Sequence, residues 1–139
     1  MASFSIRLLV VNDFERWRLF VLQFLQKERE IKVVGQASDG LEAVQQAQEL
    51  QADVILLDIG LPTLNGIEVA SRIRAVSPHS KVLFVSANGS VDTVEEAMNT
   101  GAGGFVRKSD AASELLTAIR EVHAGKQYLS ASLNLSTAG

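Results

Sequence analysis

Two kinds of hydrophobic pattern alternate along the chain. One is a short apolar run with almost no interruption. The other repeats apolar residues at three- and four-residue intervals, with polar residues between them. The first kind predicts buried strands and the second amphipathic helices. Ile6–Val11 contains Leu8, Leu9, Val10 and Val11 and stops at Asn12 and Asp13. Residues 14–26 then place Trp17, Phe20, Val21, Phe24 and Leu25 at helical spacing. Ile31–Ala37 is rich in β-formers, Asp39-Gly40 punctuates it, and residues 41–50 carry Leu41, Val44, Ala47 and Leu50 on one helical face. Val54–Leu57 is wholly apolar and ends in Asp58, after which Pro62 and Gly66 mark a loop. Residues 67–76 predict a helix stopped by Ser77-Pro78, because the residue before a proline avoids helical geometry. A strand over residues 81–85 leads into Ser86. A helix over Val91–Met98 closes at Gly101, a short strand covers Gly104–Arg107, and a helix over residues 111–124 ends at Gly125.

These are five βα units. Uninterrupted apolar strands suit a parallel sheet buried on both faces, so the predicted class is α/β, a central sheet with helices on either side. At 139 residues the chain suits one domain, with no internal repeat and no low-complexity block. From Lys126 onward it shifts to small and polar residues, and Ser136-Thr137-Ala138-Gly139 reads as a frayed tail or linker stub. No apolar stretch approaches the ~18 residues of a membrane span. The apolar run near the N-terminus is a strand rather than a secretion signal, since Asn12 and Asp13 cut it short. With 47% hydrophobic residues the chain is not a disordered one. Its net charge of −3 does not suggest a nucleic-acid surface. The absence of cysteine removes disulfides, thiolate metal sites and cysteine nucleophiles, and makes a reducing cytoplasm the expected setting.

In an open parallel sheet, ligands bind beyond the carboxyl ends of the strands. The first strand delivers Asn12 and Asp13 there, the third Asp58, the fourth Ser86 and the fifth Lys108. Asp13 and Asp58 are hard oxygen ligands of the kind Mg2+ takes while keeping several waters. Asp58 is also a carboxylate able to accept a phosphoryl group as an acyl phosphate. A transferring phosphoryl group needs its equatorial oxygens neutralised, which a metal on one side and Lys108 on the other would do. The Ser86 hydroxyl would donate to a phosphoryl oxygen. Taken singly, each residue has a plainer explanation: a carboxylate after a strand is a turn or helix cap, a serine a turn residue, a lysine a solvated charge. It is their meeting at one sheet edge that makes the set chemical.

The same segments resemble bacterial response-regulator receiver domains over nearly the whole chain. Leu8-Leu9-Val10-Val11-Asn12-Asp13 is similar to the family's first strand and its acidic pair. Val54-Ile55-Leu56-Leu57-Asp58-Ile59-Gly60-Leu61-Pro62, with Asn65-Gly66 after it, is similar to the phosphorylation-site strand and loop. Val82-Leu83-Phe84-Val85-Ser86-Ala87 and Gly101-Ala102-Gly103-Gly104-Phe105-Val106-Arg107-Lys108 resemble the strands carrying the hydroxyl and the aromatic with its lysine. The resemblance implies a flavodoxin-like, doubly wound (βα)5 fold with strand order 2-1-3-4-5. It implies that residues 1–125 form the receiver domain and 126–139 a linker or tail. It further implies that Asp58 takes a phosphoryl group from a sensor histidine kinase. Mg2+ would be held by Asp13, Asp58 and the backbone carbonyl of Gly60, with Asn12 acting through water. Ser86 and Lys108 would bind the phosphoryl oxygens, and Phe105 would move inward as Ser86 closes. Such a domain catalyses only its own phosphorylation and dephosphorylation and is otherwise not an enzyme.

The closing stretch, residues 118–130, resembles the NarL/FixJ-type, LuxR-like transcription regulators, in which a linker leads to a helix-turn-helix domain. DNA contact would then come only through such a domain, which is absent from this chain, and the chain is expected to be either a single-domain regulator or a receiver cut from a longer protein. The stripe Leu115, Leu116, Ile119 and Val122 either packs on the sheet alone or also serves a homodimer. Asn12 departs from the family's acidic pair. It keeps an oxygen acceptor but loses a unit charge, which predicts weaker metal binding. It also leaves open a degenerate receiver, a protein-interaction module that works without phosphate. Two enzyme readings fit worse. An aspartyl-phosphate hydrolase would want a second acid where Gly60 stands, and a dinucleotide enzyme a glycine-rich turn where Asn12-Asp13-Phe14-Glu15 stands.

Overall fold

A computed structural model describes residues 5–133 of the chain. Its elements run β1 (Ile6–Val11), α1 (Glu15–Leu25), β2 (Ile31–Ala37), α2 (Gly40–Leu50), β3 (Val54–Leu57), α3 (Gly66–Val76), β4 (Lys81–Ser86), α4 (Val91–Met98), β5 (Gly104–Arg107), α5 (Ala111–His123) and β6 (Tyr128–Leu129). A short 3-10 turn, Lys108–Asp110, joins β5 to α5. The strands form one sheet in the order β2-β1-β3-β4-β5-β6, and every neighbouring pair is parallel. This is the flavodoxin-like α/β order that the family resemblance implies, with one strand more.

The apolar runs are explained by two cores, one on each face of the sheet. Successive strand residues point to opposite sides. Leu9 and Val11 therefore join Ile55, Leu57, Phe84 and Phe105 against α2, α3 and α4. Leu8 and Val10 join Leu56, Leu83, Val85 and Val106 against α1 and α5. Strand β2 is the exception. It lies at the sheet edge, and Lys32 and Gln36 are exposed along it. The stripe on α5 belongs to the second core: Leu115, Ile119 and Val122 are fully buried against the sheet, and Leu116 is half-buried. Of the five apolar positions expected to form the inner face of α1, only Val21 and Leu25 are buried, while Trp17 and Phe24 are half-buried and Phe20 is exposed.

Side chains fix where three helices begin. Asp39 accepts from Glu42 N at 2.9 Å, Asn65 from Glu68 N at 3.0 Å, and Ser90 from Thr93 N at 3.3 Å. Each satisfies a backbone donor the helix leaves unpaired. The turn after β3 is tight as well. Gly66 N donates to Ile59 O at 2.7 Å, and a Cβ on Gly66 would stand 2.2 Å from the Asp58 carbonyl oxygen. Only glycine allows α3 to start this close beneath Asp58.

The sixth strand lies beyond residue 125, in the segment whose composition suggested a linker or tail. Two residues carry no periodicity, so β6 has no signature of its own; its register comes from the free edge of β5. Tyr128 N donates to Gly103 O at 3.1 Å and Ser130 N to Phe105 O at 2.9 Å. The approach needs a glycine, since a Cβ on Gly104 would lie 2.5 Å from Tyr128 O. Side chains on α5 and on the 3-10 turn before it fasten the segment. The Tyr128 hydroxyl donates to Glu114 Oε1 at 2.9 Å, Ser130 Oγ donates to Asp110 Oδ2 at 2.5 Å, and Ser132 Oγ also donates to Asp110. Residues 136–139, expected as a frayed tail, lie outside the described residues.

Burial, and then the hydrogen bond to Glu114, push the Tyr128 phenol up from its ordinary value of 10.0 to about 12. A folded-state pKa above the unfolded one means stability that is complete below the unfolded value and lost as pH rises through the folded value. Tyr128 is the only tyrosine of the chain. Its phenolate absorbance should therefore titrate near 12 in the native protein and near 10 after denaturation. A native midpoint near 10 would show that β6 does not hold Tyr128 against α5.

Candidate functional site

The carboxyl ends of β1, β3 and β5 converge on one carboxylate. Val11 pairs with Leu57 across β1 and β3, so the next residues, Asn12 and Asp58, come out of the sheet side by side. Asp58 N donates to Val11 O at 3.2 Å, which carries the strand pairing one step past the end of β3. The Asp58 residue is only 8% exposed. Two groups from elsewhere in the chain reach its Oδ2 atom. Lys108 Nζ lies 3.7 Å away and Asn12 Nδ2 donates at 3.4 Å. The charge left at the end of an apolar strand is thus met by one ammonium and one amide.

Asn12 is 1% exposed and is held from two sides. Its Oδ1 accepts from Phe14 N at 2.8 Å, and its carbonyl accepts from Arg18 NH1 at 2.6 Å. Asn12 therefore turns its donor toward Asp58 and uses its acceptor on the turn into α1. Asp13 is exposed, and its side chain makes no hydrogen bond or ion pair among the described residues. Gly60 is exposed in the turn after Asp58, with nothing within 4 Å of where a Cβ would stand. Ser86 ends β4, paired with Arg107 of β5, and is 4% exposed. Its Oγ accepts from Asn88 N at 3.2 Å rather than bonding to Asp58, so the hydroxyl is held by its own turn. Phe105 is fully buried, its ring centroid 6.2 Å from that of Phe84.

Asn12, Asp58 and Lys108 are therefore in contact. Asp13, Gly60 and Ser86 border the same rim without bonding to Asp58. Among the described residues no three or more His, Cys, Asp or Glu side chains gather as a metal cage. The oxygen donors supplied along this rim, the Asp58 and Asp13 carboxylates after β3 and β1 and the Gly60 carbonyl in the turn after Asp58, are all hard ones. That set fits a small divalent cation that keeps several waters.

One residue of the site is not signalled by the strand-end pattern. Lys108 Nζ lies 5.3 Å from the centroid of the Trp17 ring, which the helical spacing assigns to the core. Trp17 packs on Phe20 with ring centroids 5.1 Å apart, and Phe20 stacks on Phe24 at 5.9 Å. Residues 17, 20 and 24 thus form an aromatic stripe along α1, in which Trp17 and Phe24 also pack against the core and Phe20 is exposed. The signal was the run of three aromatics at i, i+3 and i+7, which a core-facing helix does not require.

Comparison with known proteins shows the family and the fold. The chain is 34% identical over 125 residues to the response regulator GacA of Pseudomonas viridiflava, covering 90% of this chain and 58% of that protein. It is 32% identical over 126 residues to the nitrate/nitrite response regulator protein NarL of Escherichia coli, covering 91% of this chain and 58% of that protein. The chain thus spans somewhat more than half the length of the curated relatives it matches. The crystal structure of a LuxR-family two-component response regulator from an Aurantimonas species superposes with a TM-score of 0.92 at 26% identity, covering 96% of this chain and 97% of that one. No helix among the described residues is long and apolar enough to cross a membrane. With the response regulator receiver domain profile matching residues 8–120, around a carboxylate at the end of β3 that meets a lysine from the end of β5, the chain belongs to the response regulator receiver domain family.

Proposed function

We propose that this chain is the phosphoryl-accepting switch of a two-component system. Asp58 would accept the group from a sensor histidine kinase with Mg2+ present, within a transcription regulator of the NarL type. Receiver domains of this family serve phosphorylation-dependent signalling and are not enzymes in the ordinary sense. The observation that carries the reading for this chain is the Lys108 ammonium 3.7 Å from Asp58 Oδ2 at a nearly buried carboxyl. An Asp58 oxygen attacks phosphorus, the bond to the donor's leaving group breaks, and the leaving group departs with its electron pair. A phosphoryl group carries about −1.5 to −2 charge at neutral pH and three acceptor oxygens. Lys108 supplies one positive charge against it. A Mg2+ ion bound by Asp13, Asp58 and the Gly60 carbonyl would neutralise more.

Ser86 is the second responder. Its oxygen accepts from Asn88 N, which leaves its own proton to donate to a phosphoryl oxygen. Closing that bond would pull on residues 86–90, which lead into α4, whereas Phe105, expected to move inward, is already fully buried beside Phe84 and would respond by repacking there. The switch is a shift between two arrangements of one fold. The division after residue 125 carries over into this proposal, with β6 as the packed start of the linker. DNA contact would come through a separate helix-turn-helix domain. A homodimer would have to use surface other than Leu115, Ile119 and Val122, which the sheet already buries.

A second reading has one observation in its favour. Asn12 gives Asp58 a hydrogen-bond donor without any metal, as suits an interaction module that never takes phosphate. Intact-mass spectrometry after incubation with a small phosphodonor and Mg2+ separates the two. The phosphoacceptor reading requires a gain of one phosphoryl mass in wild type and none in Asp58→Asn. No gain in either would favour the interaction module. Because Asn12 lacks a charge beside Asp58, Asn12→Asp should tighten Mg2+ binding about tenfold, or about 1.4 kcal/mol. Fluorescence or calorimetric titration checks this, and an unchanged dissociation constant would contradict it.

A further inference from the structure

We infer that Trp17 is a positioning residue for phosphoryl transfer, its indole face holding the Lys108 ammonium in place beside Asp58. The inference rests on Asp58 being the phosphoacceptor and concerns what keeps Lys108 ready for it. Lys108 sits in the 3-10 turn after β5, on a flexible four-carbon stem with three rotatable donors, and its side chain is 26% exposed. Its ion pair with Asp58 measures 3.7 Å, longer than a direct hydrogen bond of about 3.2 Å or less. The carboxylate alone therefore leaves the ammonium loosely placed.

The ring provides the second anchor. Its centroid is 5.3 Å from Lys108 Nζ, within the roughly 6 Å over which a ring face attracts a cation, and indole is the strongest such face. The ring is itself fixed. On one side it packs on Phe20, 5.1 Å away, and it also rests against the core between α1 and the sheet. The first turn of α1 is tied to the end of β1, where Arg18 NH1 donates to Asn12 O at 2.6 Å and Phe14 N to Asn12 Oδ1 at 2.8 Å. The strand end that gives Asp58 the Asn12 amide thus also sets where the indole stands. One ammonium is held between a carboxylate and a π face, and it reaches an arriving phosphoryl oxygen by a small movement.

The test combines phosphorylation rate with the magnetic environment of Lys108. In wild type the Lys108 ε-methylene protons should be shifted upfield by the indole ring current. Trp17→Leu should return them to the position of an exposed lysine and slow Asp58 phosphorylation by a small donor, at saturating donor and Mg2+, by about 3- to 10-fold. Trp17→Phe, which keeps a weaker face, should retain part of both. Lys108 protons at the ordinary position in wild type would overturn the inference even if no variant folded. So would a wild-type rate in Trp17→Leu, or a slowed rate with the Lys108 resonances unmoved. A wild type that takes no phosphoryl group would instead overturn the phosphoacceptor reading, and this inference with it. Normal phosphorylation of both wild type and Trp17→Leu would overturn only the role of Trp17.

Discussion

The structure turns on a carboxylate kept almost out of water at the end of a four-residue apolar strand. An ion taken from water costs several kcal/mol unless it is paired and hydrogen-bonded. Asp58 meets that demand with groups 46 residues before it and 50 residues after it, Asn12 from the end of β1 and Lys108 from just beyond β5. In this fold those groups meet because β1, β3 and β5 run the same way and finish at the same rim. Parallel strands need crossovers, and the helices that make them cover both faces of the sheet. The buried charge and the doubly wound architecture are two views of one constraint.

That constraint also places what surrounds the site. The turn from β3 to α3 passes so close beneath Asp58 that Gly66 has no room for a side chain. The turn after β4 holds the Ser86 hydroxyl through Asn88 N, one rearrangement away from any group added to Asp58. On the far side of β5, β6 pairs with the strand that carries Phe105, and Tyr128, Ser130 and Ser132 fasten this segment to α5 and the 3-10 turn before it. The C-terminal segment therefore lies against the strand that delivers Lys108. Movement at the acceptor site and the position of that segment share one β-strand.

Much of this was legible because a parallel sheet writes itself plainly. The strands β1 and β3 end where their apolar runs do, since both faces are buried there and the polar residues that follow mark an exit from the core. The same rule picked out Asn12, Asp58 and Lys108, polar residues at the ends of such runs. What the pattern could not carry was partnership across the chain. Helical spacing put Trp17 among core residues, and it does pack against the core, but spacing cannot show what else meets the ring, and the structure sets Lys108 there. Tyr128 and Leu129 are too few to show a period, and their strand exists only because β5 has a free edge. Asn12 stood out as a missing charge, but its donation to Asp58 depends on the turn into α1 that occupies its oxygen.

The central claim is that Asp58 and Lys108 form one site for a phosphoryl group. A crystal structure of the protein loaded with Mg2+ and beryllofluoride addresses it most directly. The analogue should be bonded to an Asp58 carboxylate oxygen, with Lys108 Nζ moved from the carboxylate onto one of its fluorines. An analogue bound elsewhere, or Lys108 turned away into solvent with the analogue in place, would contradict it.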